Sequence, residues 1–125
     1  MINVDVLVFD DLIDTVDVVF IKKSVEVIND NLDLDEDVWF EIVFVDQNTS
    51  KHLNKKFRDI DSSTDVLSFS VDRSYGNKDS KGIFVEKNYI GEVVISYKDV
   101  KEQATSKGYS TKFEMAHVIM HGILH

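Results

Sequence analysis

The chain has 125 residues, 43% of them apolar and 30% charged, proportions that fit one soluble domain with a real core. Its net charge of −9 argues against a protein that coats nucleic acid with a broad basic face. Because it has no cysteine, disulfides and thiolate metal sites are excluded, and any metal must sit on nitrogen and oxygen ligands.

The first twenty residues contain no Lys or Arg and carry Asp5, Asp10, Asp11, Asp14 and Asp17. A secretory signal is therefore not expected, no apolar run approaches membrane-spanning length, and cytoplasm is the default location. Within this segment Ile2, Val4, Val6 and Val8 alternate with other residues, which predicts a strand with one strongly apolar face. Val18, Ile21, Val25, Ile28 and Leu32 recur at spacings of three and four, the mark of an amphipathic helix. Val38 to Val45, interrupted only by Glu41, reads as a buried central strand.

Asp46-Gln-Asn-Thr offers helix-start residues, and Leu53 with Phe57 gives the short helix that follows an apolar side. Thr64 to Val71 predicts another strand, and residues 72–82 a polar, glycine-containing loop. Gly91 to Tyr97 predicts a further strand, and Val100 to Lys107 a short helix ended by Gly108. Ser110 or Thr111 then caps the last helix, where Thr111-x-x-Glu114 matches a capping box. The order implies a single α+β domain over residues 1–125, with a small mixed sheet of about four strands packed with helices.

Charge is uneven along this order. Residues 1–50 hold 13 acids against Lys22 and Lys23, whereas residues 51–125 hold 12 bases against 10 acids. Contact with nucleic acid is thus confined, if it occurs, to the second part.

Three of the four histidines, His117, His121 and His125, fall in the last helix. At 100° per residue they share an arc of about 80°. Phe113, Ala116, Ile119, Met120, Ile123 and Leu124 form the apolar face beside them. Neutral imidazole is the commonest metal ligand, and His-x-x-x-His on one face lets two rings converge on one ion. Gly122 stands where a zincin protease would carry its glutamate base, so that mechanism is disfavoured. A glycine inside a helix costs roughly 1 kcal/mol relative to alanine. Either a side chain there would strike a ligand or a packed neighbour, or the helix ends at Gly122. Periodicity alone also leaves open a set of histidines at a core boundary with no metal.

His121-Gly122-Ile123-Leu124-His125 resembles the opening of His-Gly-x-Leu-His-Leu-x-Gly-Tyr-Asp-His, the signature of the YbeY family of bacterial rRNA-maturation metallo-endoribonucleases. Leu53-Asn54-Lys55-Lys56-Phe57-Arg58 and Ser63-Thr64-Asp65-Val66-Leu67-Ser68-Phe69-Ser70 are similar to the family's Leu-Asn-x-x-(aromatic)-Arg and Pro-Thr-Asp-Val-Leu-Ser-Phe-Pro segments. Gly91-Glu92-Val93-Val94-Ile95-Ser96 resembles its Gly-Asp-Ile-x-Ile-Ser strand, and Ala104 and Glu114 also fall where the pattern places them. Ser63 and Ser70 replace the usual prolines, and Glu92 the usual aspartate. The sequence stops before the signature's final histidine, so the family's third metal ligand is not among these residues.

The resemblance implies a metal-dependent, single-strand-specific endoribonuclease acting in 16S rRNA 3′-end maturation and ribosome quality control. It implies His121 and His125 as metal ligands, with zinc as the default ion and nickel or another divalent ion possible. His117 is read as packing or as support behind the ligands. Arg58 is the candidate catalytic residue, because a guanidinium grips phosphate oxygens and stays charged; it is expected to face the histidines. Lys51, Lys55 and Lys56 form a candidate basic rim for RNA, or an ordinary solvated face, and Ser68 with the Thr64–Phe69 strand is expected to border the groove, the alternative being a merely structural strand. His52 reads as a surface histidine. The expected partners are single-stranded rRNA and the ribosomal small subunit or its proteins, with no membrane. The other reading is a non-catalytic ribosome-assembly factor with a structural metal.

Overall fold

The computed structural model describes residues 1–32, 37–71 and 88–124. Alternation at the start becomes β1 (Ile2–Val8), in which Ile2, Val4, Val6 and Val8 face the main core and Asn3, Asp5 and Leu7 face outward. After a single 3-10 turn, the Asp17 carboxylate accepts the Phe20 amide at 3.0 Å and starts α1 (Val18–Asp30). β2 (Val38–Val45) follows with the predicted boundaries. Asp46 then caps α2 (Gln47–Arg58) by accepting the Thr49 amide at 2.7 Å, and hydrogen bonding from the Thr49 side chain, then from this amide, holds its carboxyl below the usual value. Asp59, left-handed at φ 58°, ends the helix.

β3 (Val66–Ser70) and β4 (Tyr89–Ser96) complete the sheet, and the predicted 72–82 loop lies outside the described residues. α3 (Tyr97–Lys107) begins three residues earlier than the apolar spacing predicts, because the Ser96 side chain accepts the Asp99 amide and caps it. α4 (Thr111–Leu124) starts from Ser110, whose Oγ accepts the Phe113 amide at 3.1 Å. The capping box is a correction: Glu114 does not turn back to the helix start but points into the protein, where its Oε1 takes a hydrogen bond from Lys107 Nζ at 3.2 Å.

The strand order is β1-β2-β4-β3, with β1, β2 and β4 parallel and β3 antiparallel to β4. The fold is α+β with a four-stranded mixed sheet, as expected. Each sheet face carries its own cover. On one, Phe40, Ile42, Phe44, Val93 and Ile95 pack with Ile21 and Val25 of α1, Val100 of α3, and Met115, Val118 and Ile119 of α4. On the other, Val45, Leu67 and Val94 pack with Val43, Phe69 and Leu53 of α2. Gly91 is required between them: it holds φ +141°, and a Cβ there would lie 2.1 Å from the Phe69 carbonyl oxygen.

Candidate functional site

α4 lies against the sheet closely enough to answer the question Gly122 raises. A Cβ at that position would sit 2.9 Å from Val93 Cγ1 and 3.3 Å from Val66 Cγ2. The glycine makes room for packed neighbours, and the helix continues past it to Leu124 rather than ending there. Ser68 Oγ, 3.7 Å from the same point, donates to the Gly122 carbonyl at 3.2 Å. That carbonyl belongs to the last turn, where helix acceptors need partners from outside the helix. Ser68 therefore ties β3 to the histidine helix, and it also lines a cavity of about 200 Å³ with Gly91, Gly122 and Ile123.

The core-facing side of α4 is rotated from the predicted one. Met115, Val118 and Ile119 are buried, whereas Phe113 and Met120 are 58% and 44% exposed. The reason is the neighbours of α4. The sheet and α3 claim the side that includes Glu114, leaving Phe113, Ala116 and Met120 beside an open groove next to Phe20 and Val27 of α1. His117 and His121 fall between these two sides and are exposed. Both line a cavity of about 150 Å³, together with Asp65, Val66, Gln103, Lys107, Glu114 and Val118.

Sequence reasoning placed Asp65 in the Thr64–Phe69 strand bordering the groove without giving it a role, did not pick out Gln103 or Lys107, and noted Glu114 only as a cap and a family position. The signal for Asp65 was available in the segment Thr64-Asp65-Val66. Its placement follows from α2: Ser50 Oγ donates to the Thr64 carbonyl at 2.7 Å and accepts its amide at 3.0 Å, while Asn54 Nδ2 donates to the Ser62 carbonyl at 2.9 Å. Buried Ser50 and Asn54 thus pin the chain between α2 and β3. Asp65 Oδ1 then accepts the Val66 amide at 2.9 Å, where β3 begins.

The predicted phosphate-binding residues occupy a different place. Arg58 is exposed at the end of α2, and Phe57 beside it meets the Phe69 ring edge-on at 5.1 Å. Since α2 is docked by Leu53 and Phe57 on the Leu67–Phe69 side of the sheet, it covers the face opposite α4. Arg58 and His121 share none of the cavities described; the two stand on helices that cover opposite faces of the sheet. Lys51 and Lys55 share the expected helical side and both approach Asp61 at 3.9 Å; these are exposed ion pairs of small energetic weight. Lys56 Nζ lies 5.3 Å from the Phe57 ring centre, and His52 is exposed.

His121 fits the nitrogen-donor part of a metal site, being exposed beside a polar cavity on a helix fixed by close packing. His125 lies outside the described residues. Among the described residues no three His, Cys, Asp or Glu side chains are grouped to hold an ion.

The far side of the sheet carries carboxylates instead. Asp5, Glu41 and Glu92 stand in register across β1, β2 and β4. Partial burial, and then the neighbouring Glu41, raise the Glu92 carboxyl above its ordinary value. Burial, followed by Glu41 and Glu92, pushes the Tyr89 phenol up to about 12.

A family model described as "Endoribonuclease YbeY" matches residues 13–125. The chain belongs to this family. Among curated YbeY relatives, the endoribonuclease YbeY of Persephonella marina is 36% identical over 106 residues, which are 85% of this chain and 64% of that protein. The endoribonuclease YbeY of Dehalococcoides mccartyi is 38% identical over 89 residues, 67% of this chain and 56% of that protein. The chain thus spans less than two thirds of the length of these YbeY proteins. The solution structure of TM1509 from Thermotoga maritima superposes over all of this chain and 71% of its own, with a TM-score of 0.57 and 25% identity. Among the described residues no helix is long and apolar enough to cross a membrane.

Proposed function

We propose that the chain is the histidine-bearing part of a metal-dependent, single-strand-specific endoribonuclease that acts in 16S rRNA 3′-end maturation and ribosome quality control. The observation that carries this reading is the family match over residues 13–125, which includes an α4 that presents His121 beside a polar cavity at the start of β3. His121, with His125, would hold zinc or another divalent ion through imidazole nitrogen. When bound, such an ion supplies Lewis acidity toward water and toward a phosphoryl oxygen.

The chain's own residues then have separate tasks. Gly122 and Ser68 fix the height of α4 on the sheet, so that His121 projects from a rigid support. Arg58, with Lys51, Lys55 and Lys56, offers cationic contacts to RNA phosphates along α2. An RNA strand that touches both groups must pass around the β3 edge of the sheet, since α2 and α4 cover opposite faces. The small ribosomal subunit is the proposed partner and the cytoplasm the proposed location. The acidic first fifty residues favour recognition helped by ribosomal proteins over capture of naked RNA.

The placement of Arg58 and His121 on helices that cover opposite faces of the sheet favours a second reading, a non-catalytic ribosome-assembly factor with a structural metal. Cleavage of a single-stranded RNA by a chain carrying the rest of the family signature separates the two. The nuclease reading expects loss of cleavage with a chelator and with His121→Ala, and a fall of at least about tenfold with Arg58→Ala, equivalent to about 1.4 kcal/mol of transition-state binding. Cleavage indifferent to all three would overturn the metal-and-arginine mechanism; a folded, zinc-loaded protein with no cleavage would favour the assembly factor.

A further inference from the structure

Glu114 is a carboxylate in an unusual position. The residue is 1% exposed; Oε1 is held by Lys107 Nζ at 3.2 Å, and among the described residues the buried Oε2 has no hydrogen-bond partner. An unpaired buried acceptor costs about 1–3 kcal/mol, more when charged, and such groups are characteristically paired with protein or ordered water. Glu114 also borders the cavity of about 150 Å³ that His117 and His121 line, large enough to hold water. His117 follows Glu114 by three residues on α4, a spacing that puts their Cβ atoms about 5–6 Å apart on one side of the helix. His121 comes one turn later.

We propose that a water in this cavity accepts a hydrogen bond from the His117 ring and donates one to Glu114 Oε2, and that His117 so held is a positioning residue beneath His121. The purpose rests on the metal-site reading above, whereas the contact itself does not. Carboxylate, supporting imidazole and candidate ligand imidazole then run along one side of α4, with Lys107 balancing the buried charge. The carboxylate fixes which His117 nitrogen carries the proton and limits rotation of an otherwise exposed ring. A fixed ring one turn below His121 narrows the orientations open to it before any ion arrives. Partners behind metal-ligating histidines commonly act in this way.

The test uses the 125-residue chain without metal and reads the ring nitrogens of His117 and His121 by long-range proton–nitrogen NMR. In the unaltered chain His117 is expected to show one dominant neutral tautomer. E114Q keeps the shape of the side chain but removes the charge, and is expected to mix the two tautomers of His117 while the backbone spectrum stays native. K107M, which leaves the carboxylate in place, is expected to keep the single tautomer and provides the readout should E114Q fail to fold. A His117 tautomer ratio equal in the unaltered chain and E114Q, or an even mixture in both the unaltered chain and K107M, overturns the proposal. Zinc titration of the same variants in a chain that carries the rest of the family signature separates the two ideas. A tautomer change in E114Q without zinc binding at His121 would leave the Glu114–His117 contact standing and remove its purpose in a metal site.

Discussion

The two faces of the sheet are built on different terms. Under α4 the packing is tight enough that a single methyl at Gly122 would meet two valines, and Ile42, Phe44, Ile95 and Ile119 are wholly buried. Under α2 the apolar contact is limited to a few residues around Leu67, while Asp5, Leu7, Glu41 and Glu92 remain partly or wholly in contact with water. The first face sets the fold and fixes the histidine helix. The second tolerates charge and carries the lysines and Arg58. Close packing and exposed positive charge therefore lie on opposite sides of one sheet.

Truncation on each face should break this comparison most visibly. Ile119→Ala opens a cavity in a fully buried site and is expected to cost about 3–4 kcal/mol, against about 1–2 kcal/mol for half-buried Leu53→Ala on the α2 side. Equal losses in denaturant melts would show that the faces do not differ as described. Gly122→Ala comes next. Its gain in helix propensity of roughly 1 kcal/mol is opposed by contact with stiff β-branched neighbours, for an expected net loss of about 1–2 kcal/mol. Adding Val93→Ala should make the Gly122→Ala step neutral or favourable, because the contacting methyl is then gone. A full second loss in that background would place the strain elsewhere.

The smallest effect belongs to the acidic side. Glu92 binds its proton more tightly in the folded chain than in the unfolded one, so the native protein loses stability as pH rises from the ordinary value of 4.5 through the raised one. Glu92→Gln should therefore be more stable than the parent at neutral pH and gain nothing below pH 4.5. Cross-strand like-charge pairs suggest a gain of about 0.5 kcal/mol or less, since the half-buried group keeps contact with water. Melting temperatures measured at pH 4 and pH 7 would show it. A gain of the same size at both pH values would rule out repulsion as its source.

Much of this division was legible in the sequence, and the exceptions have physical causes. Period-two spacing placed β1, and spacings of three and four placed α1 and α2, because each buries one side, while the nearly continuous apolar run of β2 matches its burial on both faces. The boundaries of α3 shifted because Ser96 caps it, a local hydrogen bond that apolar spacing does not record. The role of Glu114 was misread because a capping-box pattern and a buried ion pair with Lys107 leave the same residues in the chain. The buried face of α4 was misjudged because Phe113 and Met120 are as apolar as the residues beside them, and only the position of α3 decides which side is covered. His121 was singled out by its motif as a candidate ligand. Its neighbours Asp65 and Gln103 come from other elements, and only the packing of α3 and β3 beside α4 brings them to the same cavity.

The most direct measurement is a zinc titration of the protein followed through the ring resonances of all four histidines. His121 and His125 should respond together and first, His117 less, and His52 on α2 not at all. A response at His52 with His121 unmoved would contradict a metal centre on α4.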